Sequence, residues 1–145
     1  MATKTKSAVG RQNKGKEGER QVIKILQPVV NEVFAAHGLE PPILQRNTLQ
    51  SDRGGCDLCG LEWLALEVKR QEDLAVPAWW RQTVEQAGRA KEPVLWYRRN
   101  NEAWKVVVRV NLWPIGGQQV QAVATVDPET FIRWFRQRLN WELDQ

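Results

Sequence analysis

The sequence predicts an α/β domain with a central mixed β-sheet flanked by α-helices, and three patterns carry the prediction. Residues 61–69 contain the unbroken apolar run Trp63 to Leu66, the mark of a strand covered on both faces in the middle of a sheet. Val22, Ile23, Leu26, Val29, Val30 and Val33 recur at i, i+3, i+4 and i+7, the buried stripe of a helix. Two β segments, 93–98 and 103–110, flank the turn residues Arg99-Asn100-Asn101-Glu102 and read as a hairpin.

Length and composition set the frame. A chain of 145 residues makes one domain, long enough to bury about 68–70% of its unfolded surface. A hydrophobic fraction of 42% and a charged fraction of 26% are ordinary for a globular protein. No 18-residue apolar run exists and the basic N-terminus lacks an apolar segment, so neither a membrane span nor a signal peptide is expected. The expected location is the cytoplasm. Lys4, Lys6, Arg11, Lys14 and Lys16 face no acid in the first 16 residues, and the formal charge of +4 is carried there. Residues 1–13 therefore read as a flexible basic arm, either solvated or phosphate-contacting, and 14–145 as a single domain. Eight tryptophans leave some for an interface.

Taken in order, a helix is expected from about Gly15, kinked or broken at Pro28 and stopped at Gly38 before Pro41-Pro42. On its inward side lies Glu19, whereas Glu17 is about 200° away around the axis and faces solvent. Residues 43–49 read as a first strand and 50–55 as a loop with Ser51, Asp52 and two glycines. In the strand that follows, Leu64, Leu66 and Val68 share one face, while Trp63, Ala65, Glu67 and Lys69 share the other. Pro77 opens a helix through about Ala90 with Trp80, Val84 and Ala87 as its apolar positions and Trp79 adjacent. In the hairpin, Trp104, Val106 and Val108 share a face, and Val107 with Val110 suggests burial of the other. A further β segment, 119–126, alternates Val120, Ala122 and Ala124. Asp127 and Pro128 are a good N-cap and first helical residue for a final helix burying Phe131, Ile132, Phe135 and Leu139.

The chemistry concentrates around the strand 61–69. A carboxylate and an ammonium, Glu67 and Lys69, stand together at its end, and burying that pair is costly unless each charge finds a partner. Asp57, after two glycines, can reach the same end of the sheet from a second strand. Two carboxylates and a lysine make a plausible divalent-metal site, with Arg46 and Arg53 flanking it where a phosphodiester would approach. Cys56 and Cys59 form a lone Cys-x-x-Cys, too few ligands for structural zinc, and read as two small buried thiols.

Asp57 followed after nine residues by Glu67-Val68-Lys69 resembles the core of PD-(D/E)xK nucleases, with Cys56 in place of the usual proline. The stretch Lys14-Gly15-Lys16-Glu17-Gly18-Glu19-Arg20 resembles the Lys-Gly-x-x-x-Glu-Arg opening of archaeal-type Holliday junction resolvases and their phage-encoded relatives. The resemblance covers roughly residues 14 to 111 and implies a restriction-endonuclease-like core. It further implies a Mg²⁺-dependent endodeoxyribonuclease, with Mn²⁺ as a possible substitute, that resolves four-way DNA junctions as a homodimer by paired phosphodiester hydrolysis. For a phage-encoded relative the compartment is the host cytoplasm. Glu19, Asp57, Glu67 and Lys69 are then the catalytic set, and Asp57, Glu67, the Val68 carbonyl and Glu19 the metal ligands. Lys14, Lys16, Arg20, Arg46, Ser51, Arg53, Arg70 and Gln82 make up the expected DNA-binding set, Ser51 through a Ser/Gly-rich loop of the resolvases and Gln82 through a helix glutamine of related branches. Two alternatives stay open: the same chemistry on restriction sites, flaps or DNA ends, and a non-catalytic nucleic-acid-binding protein of this fold.

Overall fold

The computed structural model of the chain describes residues 2–48 and 56–145, with side chains in the first segment from residue 14 onward. Its elements in order are α1 (Ala2–Ala36), β1 (Gln45–Arg46), β2 (Leu58–Cys59), β3 (Leu64–Arg70), α2 (Val76–Ala87), β4 (Glu92–Arg98), β5 (Lys105–Leu112), β6 (Val120–Val126) and α3 (Pro128–Leu143). Among the described residues the architecture is α/β, with three helices packed on a mixed four-stranded sheet and a small two-stranded sheet beside it. No described helix is long and apolar enough to cross a membrane.

The main sheet has the order β3-β4-β5-β6. β3 and β4 run parallel, joined by the α2 crossover, and the β4-β5-β6 portion is an antiparallel meander. One face of the sheet carries the main core. There Leu64, Leu66, Val68, Trp96 and Val106 meet Val22, Leu26 and Val30 of α1 and Phe131, Phe135 and Leu139 of α3. The other face is covered by α2, where Trp79 packs with Leu95, Tyr97 and Val107, and Ala87 with Ala65 and Cys56. The alternation expected for β3 holds: Leu64, Leu66 and Val68 lie on the α1 side, and Ala65 lies on the α2 side.

Several expectations are corrected. β3 is not a central strand but the end of the sheet order. Its continuous burial comes from α1 and α2 on its two faces and from residues 56–58 along its outer edge, where the Asp57 N–H bonds the Leu66 carbonyl at 3.0 Å. The strand also starts later than expected, at Leu64, because Leu61 to Leu64 closes a turn through the Leu64 N–H. The first strand is only the two residues of β1. Helix α1 begins at Ala2 rather than near Gly15 and continues through Pro28 without a break. An interior proline costs about 3 kcal/mol. Leu26, Val29 and Val30 are buried on either side of it, and each such side chain returns about 1.5–3 kcal/mol.

On α2 the buried positions are Trp79, Thr83 and Ala87, so Trp80 and Val84 flank the buried face instead of forming it. Two adjacent tryptophans left that helical phase open, and the Trp79 ring settles against Tyr97. Val110 shares the face of Val108, not that of Val107, since strand residues alternate. Cys59 is exposed; only Cys56 is buried. The final helix matches its expected start, with the Asp127 carboxylate accepting from the Thr130 N–H at 2.7 Å. Ile132 is only partly buried there. Gly38 takes the left-handed φ of 69° that ends α1.

Helix α1 crosses β3 closely at Gly18, whose missing Cβ would lie 3.4 Å from Val68, Arg70 and Trp104 side chains. That is room for one methyl and no more. Gly18→Ala is therefore expected to be neutral or to gain up to about 1 kcal/mol from helix propensity. Gly18→Leu should lose about 1–3 kcal/mol through overpacking. Urea unfolding of the two variants checks the ranking, and equal stabilities would mean that the helix does not sit this close.

Candidate functional site

The site is built along the open edge of β3. Its central feature is Asp57, whose carboxylate Oδ2 accepts the Val68 N–H at 2.7 Å while its own N–H pairs with Leu66. Asp57 thus continues the strand pairing, first with backbone and then with side chain. On the other side it is fixed by Asn47, whose N–H bonds the Asp57 carbonyl at 2.8 Å and whose side-chain amide bonds the Cys56 carbonyl at 3.0 Å. A strand residue sends its N–H and C=O to the same side. The Val68 carbonyl accordingly faces the edge that Asp57 occupies.

Glu67 is 1% exposed and Asp57 7%. Burial pushes the Glu67 carboxyl up to about 9, helped by the neighbouring Asp57 charge and by a carboxyl–carboxyl hydrogen bond to Asp57, while Lys69 pulls the other way. One Glu67 oxygen, Oε1, is buried with no hydrogen-bond partner. An orphaned buried carboxylate oxygen beside a second carboxylate is what a hard cation would satisfy, and the donor set fits Mg²⁺.

Glu19 reaches this edge from α1. Its carboxylate is 15% exposed and bonds Arg46 Nε at 2.5 Å, whereas Glu17 is 51% exposed and pairs loosely with Arg20. Burial raises the Glu19 carboxyl, the Arg46 bond lowers it, and the Asp57 charge raises it again. Glu19 turns to Arg46, and no three Asp, Glu, His or Cys groups stand together at ligand spacing among the described residues. Arg46 would have to release Glu19 for it to serve as a third carboxylate.

Beside this edge lies a cleft of about 460 Å³ lined by Lys14, Lys16, Glu17, Arg20 and Arg70. Four of the residues assigned to DNA binding are brought together there. Arg70 has no ion-pair partner among the described residues and a buried, unpaired Nε. Its neighbour across the sheet is Arg98, which sequence reasoning missed. Burial and the Arg70 charge lower the Arg98 guanidinium, which lies over Trp104 and bonds Gln21 at 2.9 Å. Only the parallel pairing of β3 with β4 makes these two arginines neighbours, so no local sequence signal could reveal it. Asn47 was missed too.

Lys69 is half-buried on the Glu67 face. Gln82 is exposed on α2, and the half-buried glutamine of that helix is Gln86, with an unpartnered Oε1. Ser51 and Arg53 lie outside the described residues. No family model matches the chain, and neither a curated protein nor a solved structure does.

The raised Glu67 carboxyl has a measurable consequence. A group shifted from 4.5 to about 9 on folding binds its proton more tightly in the folded state. Its contribution to stability is complete below about pH 4.5 and is lost as the pH climbs towards 9. Without divalent metal, the urea midpoint of the wild type should fall across this range. Glu67→Gln should flatten the slope and exceed the wild type near its upper end. Identical slopes in the two proteins would show that Glu67 does not store this energy.

Proposed function

We propose that the chain is a Mg²⁺-dependent endonuclease of restriction-endonuclease-like fold that resolves four-way DNA junctions by paired phosphodiester hydrolysis, acting as a homodimer. The observation that carries the reading is the Asp57–Glu67 carboxyl pair, with its unpartnered oxygen, beside Lys69 and next to a cleft of basic side chains. The resolvase substrate is suggested by the opening from Lys14 to Arg20, which contributes both the cleft cations and Glu19.

Asp57, Glu67 and the Val68 carbonyl would hold the ion, with Glu19 joining them once freed from Arg46. When bound, Mg²⁺ supplies Lewis-acid polarisation of a phosphate oxygen and acidifies a water. Every remaining part belongs to the chain. Glu67, whose carboxyl burial holds well above the usual range, would have to lose its proton to hold the ion, so affinity for the ion would rise with pH. Lys69, on the Glu67 face, sets an ammonium against the negative charge that grows on the phosphate in the transition state. Lys14, Lys16, Arg20 and Arg70 hold flanking phosphates and position the scissile one. Val68 anchors the strand from the opposite face.

The test compares a four-way junction, a linear duplex and a flap, incubated with Mg²⁺ and the purified chain. Paired nicks confined to the junction, absent in Asp57→Asn, are the expected result. Glu67→Gln should lose cleavage by at least about 100-fold while junction binding persists, since it removes charge at constant shape. Glu19→Ala should impair cleavage far more than Glu17→Ala. Cleavage of all three substrates would keep the chemistry and discard the junction assignment; binding without cleavage in Mg²⁺ or Mn²⁺ would leave a nucleic-acid-binding protein.

A further inference from the structure

Two arginines stand side by side at the end of the sheet, and no carboxylate pairs with either among the described residues. Arg70 closes β3, Arg98 closes β4, and the parallel register sets them opposite each other. Neighbouring strands lie only about 4.8 Å apart. Strand alternation puts both side chains on the α1 face with Val68 and Trp96, across the sheet from Glu67 and Lys69. Helix α1 passes over this spot at Gly18, where an added Cβ would lie 3.4 Å from the Arg70 Cβ and from the Trp104 ring. Lys14, Lys16 and Arg20 of the same helix line the cleft that Arg70 shares.

A half-buried arginine with a structural role has a carboxylate partner, and here the nearby acids are engaged elsewhere. Glu17 pairs with Arg20, Glu72 accepts from the Asn100 amide at 2.8 Å, and Glu102 offers Arg98 only its backbone carbonyl. Arg98 is oriented entirely by neutral groups. Its guanidinium lies 5.1 Å from the Trp104 centroid and donates to the Gln21 side chain at 2.9 Å and to the Glu102 carbonyl at 3.3 Å. The Arg70 guanidinium makes no hydrogen bond and no ion pair among the described residues, and the Nε of each arginine is buried and unpartnered. Holding two cations this close and partly out of water is unfavourable, and the Arg98 guanidinium is lowered by burial and by the Arg70 charge. An anion between them removes both penalties.

We propose that Arg70 and Arg98 form a two-guanidinium seat for one phosphate of a nucleic-acid backbone, a neighbour of the phosphate that is cut. A guanidinium presents its N–H groups as a planar fork that matches phosphate oxygens, and two forks on adjacent strands hold one phosphate from two directions. Arg70, Arg98, Lys14 and Lys16 all lack an ion-pair partner among the described residues. A lone carboxylate would answer one of these four cations, whereas a chain of phosphates answers them all. The pair lies across the sheet from Glu67 and Lys69, so the phosphate it holds is not the scissile one. Arg98, fixed by Trp104 and Gln21, sets where the backbone rests, while the lysines act as point charges along it. Only the word neighbour rests on the proposed function; the seat itself is measured without cleavage.

Urea unfolding of the full chain, in sodium phosphate and in sodium chloride of matched ionic strength, tests the seat without DNA. The wild-type midpoint should be higher in phosphate, because an anion that binds only the folded state stabilises it. Arg70→Met keeps an unbranched stem and removes the charge. Its midpoint should exceed the wild type in chloride and should not respond to phosphate. A wild type indifferent to phosphate, or an Arg70→Met protein less stable than the wild type in chloride, would overturn the seat. Binding of a linear duplex without divalent metal identifies the source of the phosphate. Arg70→Met and Arg98→Gln should each bind about 10- to 100-fold more weakly, with a salt slope shallower by about one. Arg98→Lys should recover little of the loss, since it restores charge without the fork. Full recovery in Arg98→Lys would overturn the two-fork geometry, and duplex binding unchanged in both neutral variants would overturn the nucleic-acid assignment in favour of a free phosphate. Weakened binding by a protein that cleaves nothing would remove the nuclease reading and leave the seat standing; cleavage and binding at wild-type strength in both neutral variants would do the reverse.

Discussion

The fold of the site depends on one hydrogen bond in which a side chain stands where a strand would be. β3 ends the sheet, so its outward N–H groups need partners, and a buried N–H without one costs about 1–3 kcal/mol. The Asp57 carboxylate provides the partner at Val68. In doing so it is drawn into a buried position against Glu67, on a strand already covered by α1 and α2. The same contact that completes the sheet therefore creates the carboxyl pair. Edge protection and site assembly are one event.

The electrostatic consequences follow from that geometry. Two carboxyl groups out of water cannot both be charged unless a cation joins them, and Lys69 compensates only in part. Around them the positive charge is unevenly used. Arg46 is spent on Glu19 and Arg20 pairs loosely with Glu17, whereas Lys14, Lys16 and Arg70 have no ion-pair partner among the described residues. The proposed substrate, a polyanion with a scissile phosphate, would answer both imbalances.

Much of this was legible in residue order, and the rest was hidden for identifiable reasons. The alternation of β3, the Asp127-Pro128 helix start and the contrast between Glu17 and Glu19 rest on local periodicity, which a sequence displays directly. The place of β3 at the sheet edge was not readable, because cover by helices and by a short flanking segment yields the same apolar run as a central position. Pro28 argued for a break that the buried stripe on either side overrides. The phase of α2 was ambiguous between the adjacent Trp79 and Trp80. Lys14, Lys16, Arg20 and Arg70 of the cleft stood in the expected DNA-binding set, but the pairing of Arg70 with Arg98 arises only from the parallel register.

The order of the strands also bears on how the molecule acquires its site. β4, β5 and β6 are sequential antiparallel neighbours and can pair through short connections, whereas β3 must wait for the α2 crossover to bring it alongside β4. Parallel, non-local pairing is the slow kind, since loop closure precedes any gain from contact. Asp57, Glu19 and Arg46 have nothing to assemble on until β3 has docked. The meander is thus the more local part of the sheet, and the carboxylates and cations of the site come together only where the crossover brings β3 to β4.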